Sequence, residues 1–395
     1  MNTADMTLER PRVDSNELLL TNARIVTETE VLTGTLSIRN GLISAISQGN
    51  TSVPGATDCQ GAYLIPGLVE LHTDNLEKHF SPRPGVVWPS HPAVLTHDAH
   101  IVSSGITTVF DALSVGDVVE DSNRLAHLKT LINALSETRK AGVLRAEHLL
   151  HLRCEVSFGE TLQLFEDLVD HPLLQLVSVM DHTPGQRQFV REDKYRQYYQ
   201  GKHGLNDAEM DTFTRKRKES ALLHSDRNRK AIVAICQSRG IPLASHDDAT
   251  LAHVEESAGF GMRIAEFPTT MEAARASHDK GLSVLMGAPN IVRGGSHSGN
   301  IAAADLAAAG VLDILSSDYY PASMLDAAFR LASMEDNSYD LASAIATVTS
   351  TPARCANLHD RGLIAPGKRA DLVLVQPQGQ LPIIHNVWRR GERVY

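Results

Sequence analysis

Short apolar runs recur through the middle of the chain, and longer stretches with helical character separate them. Runs of this kind predict parallel β-strands that are joined by crossover helices. Eight strand–helix units are typical of a (β/α)8 barrel. An open, doubly wound sheet is the alternative, but the Gly-rich phosphate loop that usually follows its first strand is not found in the sequence. The eight runs are residues 67–74, 107–113, 146–156, 173–182, 241–248, 263–269, 282–290 and 313–321.

The two ends of the chain have a different pattern, because short alternating strands and Gly-rich turns replace the strand–helix rhythm. In the N-terminal part, Asn40-Gly41 is a strong hairpin signal. We predict that residues 17–65 and 356–395 form one composite β-sandwich beside a barrel of residues 66–355. Residues 1–16 are expected to be a disordered tail. The charged, helical stretch 185–230 is predicted to be an insertion after the fourth strand, serving as a lid or a subunit contact.

Composition narrows the function classes. The chain has 37 basic and 47 acidic residues, a net charge of -10, so a nucleic-acid partner is not expected. No apolar window of about 18 residues predicts a membrane span, and the polar N-terminus has no signal-peptide core. The four cysteines have no C-x-x-C spacing, which favours free thiols and a cytoplasmic location. The sequence leaves open whether the chain forms a homo-oligomer.

Polar side chains collect where the apolar runs end. In a barrel these ends converge on one face, where active sites are built. Histidine nitrogens and carboxylate oxygens are good ligands for Zn²⁺ or Mn²⁺. We therefore predict a divalent metal site of one or two ions, with Zn²⁺ the first expectation and Mn²⁺ the second. The predicted ligands are His72, Asp74, Glu155, His182, His246 and Asp318.

Each of these residues also has a simpler interpretation. A histidine after a strand is often only a hydrogen-bonded loop residue, and Asp247 or Asp248 is placed to cap the helix that follows. Glu155 has Arg153 and Arg145 nearby in sequence as partners for a salt bridge at the mouth of the barrel. The metal interpretation is preferred because it accounts for all the strand ends together.

Three motifs resemble the amidohydrolase superfamily of metal-dependent hydrolases. They are PGLVELH at 66–72, GITTVFDA at 105–112 and GLIAPGKRADLVLV at 362–375. The resemblance implies a metal-bearing barrel flanked by a small β-sandwich from both termini. This sequence departs from the usual His-x-His motif, because Asp74 follows His72 at the second position. No lysine stands where that superfamily often has a carboxylated bridging lysine, and Glu155 is the inferred substitute.

Longer runs look like a narrower family, the diphosphatases of the carbon–phosphorus lyase pathway. The resemblance implies hydrolysis of α-D-ribose 1-methylphosphonate 5-triphosphate to the 5-phosphate and diphosphate. A conventional amidohydrolase acting on a cyclic amide or nucleobase, and a non-catalytic assembly subunit, are the alternatives. The runs are HTDNLEKHFSPRPGVVWP (72–89), RAEHLLHLRCE (145–155), MDHTPGQRQF (180–189), ASHDDAT (244–250), MGAPNIVRGGSHSGN (286–300) and LSSDYYPAS (315–323).

With such an anionic substrate, the acidic chain must concentrate positive charge locally. Arginine forks match phosphate oxygens, and the Gly-rich run 290–300 follows the seventh predicted strand, where barrels often bind phosphate. A plain flexible loop is the alternative. Asp318 is expected to act as general base toward the attacking water. The predicted substrate-binding residues are Arg83, Arg153, Arg187, Asn290, Arg293, Gly294, Gly295, Ser296 and His297.

Overall fold

A computed structural model describes residues 17–117, 123–190, 192–296 and 299–395. The predicted fold class is confirmed, because eight parallel strands form a nearly closed barrel and strands from both ends of the chain form a separate sheet. The predicted tail, residues 1–16, lies outside the described residues. The barrel strands are β6 (Leu68–Thr73), β7 (Ile106–Val115), β8 (Glu147–Glu155), β9 (Leu174–Met180), β10 (Leu243–His246), β11 (Ile264–Glu266), β12 (Ser283–Gly287) and β13 (Ile314–Ser316).

The barrel strands pair in chain order from β6 to β13, and each predicted apolar run overlaps one of them. The two end strands meet near their C-terminal ends, where the Asp318 amide donates to the His72 carbonyl (3.0 Å) and the Asp74 amide donates to the Asp318 carbonyl (2.8 Å). The lower interior is filled by apolar side chains from every strand, as a packed barrel requires. That layer contains Val69, Leu71, Phe110, Leu149, Leu176, Ala244, Ile264, Leu285 and Ile314.

Helices follow the barrel strands and cover them. The long helix α6 begins at a capping box in which Asn206 and Glu209 bond reciprocally, and it runs directly into the connection to β10. Among the described residues, none of the helices is long and apolar enough to cross a membrane. The helices are α1 (Asn75–Phe80), α2 (Ser90–Ser103), α3 (Asn123–Lys140), α4 (Thr161–Glu166), α5 (Glu192–His203), α6 (Asp207–Arg239), α7 (Leu251–Gly259), α8 (Met271–Asp279), α9 (Ala288–Arg293), α10 (Ala303–Ala308), α11 (Ser323–Ser333), α12 (Leu341–Ala346) and α13 (Ser350–Cys355).

The second sheet joins the two ends of the chain in the order β16-β15-β14-β5-β1-β2-β3, with β4 beside β1. The turn between β2 and β3 is at Asn40-Gly41, where both residues have positive φ, as a type I′ hairpin requires. The sheet encloses its own core of side chains from both termini, including Leu36, Leu64 and Trp388. Its strands are β1 (Glu17–Val26), β2 (Val31–Arg39), β3 (Leu42–Gln48), β4 (Thr57–Asp58), β5 (Tyr63–Pro66), β14 (Leu372–Gln378), β15 (Leu381–Arg389) and β16 (Glu392–Arg393).

Candidate active site

One cavity of about 400 Å³ opens at the C-terminal ends of the barrel strands. Helix α5 and the turn before it cover one side, since Gln188, Tyr198 and Tyr199 line the cavity. All six predicted metal ligands lie on its wall, although they come from strands far apart in the sequence. The residues of the sequence prediction that line the cavity are His72, Asp74, Arg153, Glu155, His182, His246, Asn290, Arg293, Gly295, Ser296 and Asp318.

His182 follows β9 and lies between two carboxylates. Its Nδ1 is 2.7 Å from Glu155 Oε2, and its Nε2 is 3.6 Å from Asp247 Oδ2. Burial by itself would lower the pKa of His182, but the carboxylates of Glu155 and Asp247 raise that pKa to about 9. Each ring nitrogen of His182 therefore faces a carboxylate oxygen, and the two carboxylates hold the imidazole in place.

Glu155 ends β8, and its two oxygens are already engaged. One accepts a hydrogen bond from the His182 ring, and the other accepts from the Ser157 hydroxyl and lies 3.5 Å from Arg217 Nη2. Arg217 comes from α6, so its ion pair with Glu155 connects the insertion to the site. The alternative interpretation, in which Glu155 forms a salt bridge with Arg153 or Arg145, is wrong. Arg153 pairs with Asp74, and Arg145 pairs with Asp98.

His246 ends β10, and Asp247 follows it with a positive φ of 58°. The His246 Nδ1 is 2.9 Å from Asp247 Oδ2, so Nδ1–H donates to the carboxylate, and Nε2 has no hydrogen-bond partner among the described residues. The capping interpretation of Asp247 or Asp248 is wrong. Thr250 caps α7 instead, and its side chain accepts from the His253 amide.

A second buried group lies beside the first and contains His72, His151 and Glu266. His72 Nδ1 is 3.2 Å from Glu266 Oε1, and His151 Nδ1 donates to the Leu71 carbonyl at 2.9 Å. Burial lowers the pKa of His151 to about 3, although Glu266 opposes the shift. His151 is therefore neutral at pH 7, and its Nε2 carries the lone pair. The ring centres of His72 and His246 are 5.8 Å apart, so the group around His72 adjoins the group that contains His182, His246 and Asp247.

The backbone of Asp318 is in the left-handed conformation, which is uncommon for a residue other than glycine. Its φ is 55°, and the two backbone hydrogen bonds that close the barrel hold it in this conformation. Burial raises the pKa of Asp318, and the Asp74 carboxylate adds to that shift while His72 opposes it. A carboxylate with a raised pKa in a cavity is suited to accept a proton.

The donor set fits a divalent cation. Within the described part of the chain, His151 Nε2, His246 Nε2 and Glu266 Oε2 are buried and lack any hydrogen-bond partner. Buried polar atoms rarely go unsatisfied in the absence of a ligand. His72 with His151 and Glu266, and His182 with His246 and Asp247, each bring three ligand atoms within 4.8 Å of one another. Imidazole and carboxylate ligands in this number suit Zn²⁺ or Mn²⁺.

The predicted substrate-binding residues divide into two sets. Arg153 lies on the cavity wall with Nη1 2.5 Å from Asp74 Oδ1. Arg293 also lines the cavity, and its Nη1 is 3.5 Å from the Tyr319 hydroxyl. The Asn290 side-chain oxygen accepts from the Ala303 amide, so this residue also orders the loop that follows α9.

The other predicted contacts are placed differently. Arg187 is buried and binds Asp248 and Glu256, so its guanidinium is not available to substrate. Arg83 lies in an exposed turn away from the cavity lining. The amides of Gly294 and Gly295 do not form an anion cradle, because they donate to the Ile291 and Asn290 carbonyls at the end of α9. His297 lies outside the described residues.

Sequence reasoning missed His151, Glu266 and the ligand role open to Asp247. One signal was available for His151: it shares strand parity with Arg153 and Glu155, so all three point to the barrel interior. Glu266 is the acidic residue at the end of a buried strand, and this position was the signal in the sequence that it could be a ligand. Asp247 belongs to the polar residues at the strand ends, but its place before α7 favoured a helix cap.

The comparison with known proteins gives the family. A description of the amidohydrolase family matches residues 99–395. The chain belongs to the amidohydrolase family. It is also 55% identical to the α-D-ribose 1-methylphosphonate 5-triphosphate diphosphatase of Escherichia coli (strain K12), over 96% of this chain and 100% of that protein. Both levels of the resemblance are thereby confirmed.

Solved structures of this amidohydrolase fold are more distant in sequence. The 5-methylcytosine deaminase of Klebsiella pneumoniae matches with a TM-score of 0.64 at 16% identity, covering 96% of this chain and 97% of its own. The N-acetylglucosamine-6-phosphate deacetylase of Pasteurella multocida matches with a TM-score of 0.62 at 13% identity, covering 95% and 99%. At such low identity these matches show the fold alone.

Proposed function

We propose that this amidohydrolase hydrolyses α-D-ribose 1-methylphosphonate 5-triphosphate to α-D-ribose 1-methylphosphonate 5-phosphate and diphosphate, as a step in phosphonate catabolism. The observation that carries the proposal is the 55% identity to a diphosphatase of that name along its full length. The cavity supports it, since it combines histidine and carboxylate groups that could hold a cation with arginines on its wall.

We propose that His72, His182, His246 and Asp318 hold one or two divalent ions, with Zn²⁺ expected before Mn²⁺. Asp247, His151 and Glu266 join the set because their atoms converge on the same two groups. Glu155 and Asp74 were predicted as ligands, and their ion pairs favour a role in orienting His182 and Arg153. A bound divalent cation would supply Lewis acidity and a water that is acidic near neutral pH.

The residues of the chain then divide the work of the reaction. Asp318 accepts a proton from the attacking water. The water oxygen forms a bond to the α-phosphorus, and the bond from that phosphorus to the bridging oxygen breaks in line, so that diphosphate leaves. Arg153 and Arg293 donate hydrogen bonds to phosphate oxygens and stabilise the charge that develops there.

Identification of the products tests the proposal directly. The purified, metal-loaded protein is incubated with the ribose triphosphate, and phosphorus NMR follows the products. Free diphosphate together with the 5-phosphate is expected. Orthophosphate alone would mean attack at the γ-phosphorus and would refute the assignment. Cyclic imides and a nucleobase serve as parallel substrates, because a conventional amidohydrolase would act on these and leave the triphosphate intact.

We propose a cytoplasmic location for the enzyme. All four cysteines are buried and free, which is consistent with a reducing cytoplasm. A small anionic substrate accounts for the positive groups on the cavity wall without a macromolecular partner. A homo-oligomer stays a prediction, and size-exclusion chromatography with light scattering would test it.

A further inference from the structure

Two cations flank Tyr319, which lines the cavity together with Arg293. The Lys78 Nζ donates to the Tyr319 carbonyl at 2.7 Å and lies 5.0 Å from the centre of its ring. The Arg293 Nη1 approaches the Tyr319 hydroxyl from the other end of the ring, at 3.5 Å. Both cationic residues are exposed. Tyr319 therefore brings a side chain from α1 and a side chain from α9 to one edge of the site.

These two cations differ from the other arginine of the cavity wall. Arg153 is neutralised by Asp74. Over the described ranges, neither Lys78 nor Arg293 forms an ion pair with a carboxylate; each instead contacts a neutral oxygen of Tyr319. An ammonium has three donors and a guanidinium has five, so most of their hydrogen-bonding capacity faces outward. Among the described residues, the edge at Tyr319 therefore offers two cations that form no ion pair with a carboxylate.

The position of this edge relative to the proposed base fits a polyphosphate. Helix α9 begins beside Asp318, where a Cβ on Gly287 would lie 3.7 Å from Asp318 Oδ2. Arg293 is the last residue of this helix, so its backbone lies about 9 Å further along the helix axis than Gly287, at 1.5 Å per residue. Partial burial of the Lys78 ammonium lowers its pKa, and the Asp74 and Asp318 carboxylates oppose that shift.

We propose that Lys78 and Arg293, arranged around Tyr319, form the subsite for the terminal diphosphate of the substrate. This inference rests on the proposed function and deepens it. Water attacks the α-phosphorus beside Asp318, and the leaving diphosphate gains negative charge as its bridging oxygen separates. Two unpaired cations at that end of the chain of phosphates bind the leaving group. They also distinguish a triphosphate from a monophosphate, which would not reach the edge at Tyr319.

Binding of inorganic diphosphate to the metal-loaded full chain tests the subsite without needing turnover. Isothermal titration calorimetry compares diphosphate with orthophosphate for the wild type, Lys78→Gln, Arg293→Gln and the double variant. Each charge-assisted contact that is lost should weaken diphosphate binding roughly tenfold or more, with orthophosphate binding little changed. Lys78→Arg and Arg293→Lys should retain most of the affinity, because each keeps the charge.

Lys280→Gln and Arg275→Gln are matched controls, since both residues are exposed on or next to α8. They should bind diphosphate as the wild type does. Equal affinity for diphosphate in the wild type and the double variant would overturn the subsite while leaving the proposed hydrolysis standing. A wild type that binds diphosphate through these residues but releases none from the ribose triphosphate would support the subsite and refute the proposed substrate.

Discussion

Replacement of Asp318 by asparagine separates chemistry from folding at this site. The backbone of Asp318 has a φ of 55° and makes the two hydrogen bonds that join β13 to β6. Asparagine tolerates this left-handed conformation about as well as aspartate, and the backbone bonds do not involve the carboxylate. Asp318→Asn should therefore fold normally, while it loses the group that we propose accepts the proton.

The expected loss of turnover is about 10²–10⁴-fold, the usual contribution of a positioned general base, which corresponds to roughly 3–5 kcal/mol in the activation free energy. The assay is the release of diphosphate at saturating substrate, with metal content measured on the same sample. Metal content separates loss of the base from loss of a ligand. The thermal unfolding midpoint should stay within a few degrees of that of the wild type.

Asp226→Asn is the matched control, because Asp226 is exposed on α6 and its one ion-pair partner among the described residues is Lys230 in the same helix. Its turnover should be unchanged. Near-native turnover in Asp318→Asn with full metal content would remove Asp318 from the mechanism. A collapse in stability would instead show that the carboxylate holds the barrel closed, and the reasoning from the backbone bonds would fail.

Three further predictions concern the metal, the insertion and the junction between the two parts of the fold. Dialysis against a chelator should abolish diphosphate release and lower the unfolding midpoint, and Zn²⁺ or Mn²⁺ should restore both; full activity in metal-free protein would contradict the site. Arg217→Met should weaken Zn²⁺ binding about 10–100-fold by freeing Glu155 and His182, with Arg217→Lys closer to the wild type in a chelator competition. Glu147 contacts Arg361 and Arg369 at 2.8 and 2.6 Å; burial would raise its pKa, but these arginines lower it from 4.5 to about 2. The stabilisation that Glu147 provides is therefore fully present above pH 4.5 and is lost as the pH falls toward 2. Glu147→Gln should lower the free energy of unfolding by about 3 kcal/mol at pH 7. In urea unfolding, the free energy of unfolding of this variant should depend less on pH between 4.5 and 2 than that of the wild type.

Much of the fold could be predicted because local patterns and global architecture agree. Each apolar run became a barrel strand, and the Asn40-Gly41 hairpin formed where the turn signal stood. The insertion was harder to delimit. The pattern suggested an end at residue 230, yet α6 continues to Arg239, because the same helix serves both as insertion and as the crossover to β10. The hydrophobic periodicity of a continuous helix does not change where the insertion ends and the crossover begins, so the boundary cannot be read from the sequence.

The site was predictable to the extent that strand ends converge. Each of His72, His182, His246 and Asp318 stands at the end of an apolar run in a predicted barrel, and all four line the same cavity. Partners of the charged groups were not predictable in the same way. Arg187 was predicted to contact the substrate because it lies in a basic stretch, but its guanidinium forms ion pairs with Asp248 and Glu256. Which carboxylate pairs with which arginine depends on side-chain distances across the barrel, and these distances are absent from sequence spacing.

The backbone gives independent support for the location of the site. Asp247, Phe267 and Asp318 all have positive φ, and they follow the ends of β10, β11 and β13. None is glycine, so each conformation costs on the order of 1–3 kcal/mol and persists only where surrounding structure enforces it. Phe267 packs its ring against both His72 and His246 at 5.0 and 5.4 Å. The strained positions therefore orient the imidazoles and the carboxylates toward one cavity. A fold selected for stability alone would have little reason to place three such residues around the same rim.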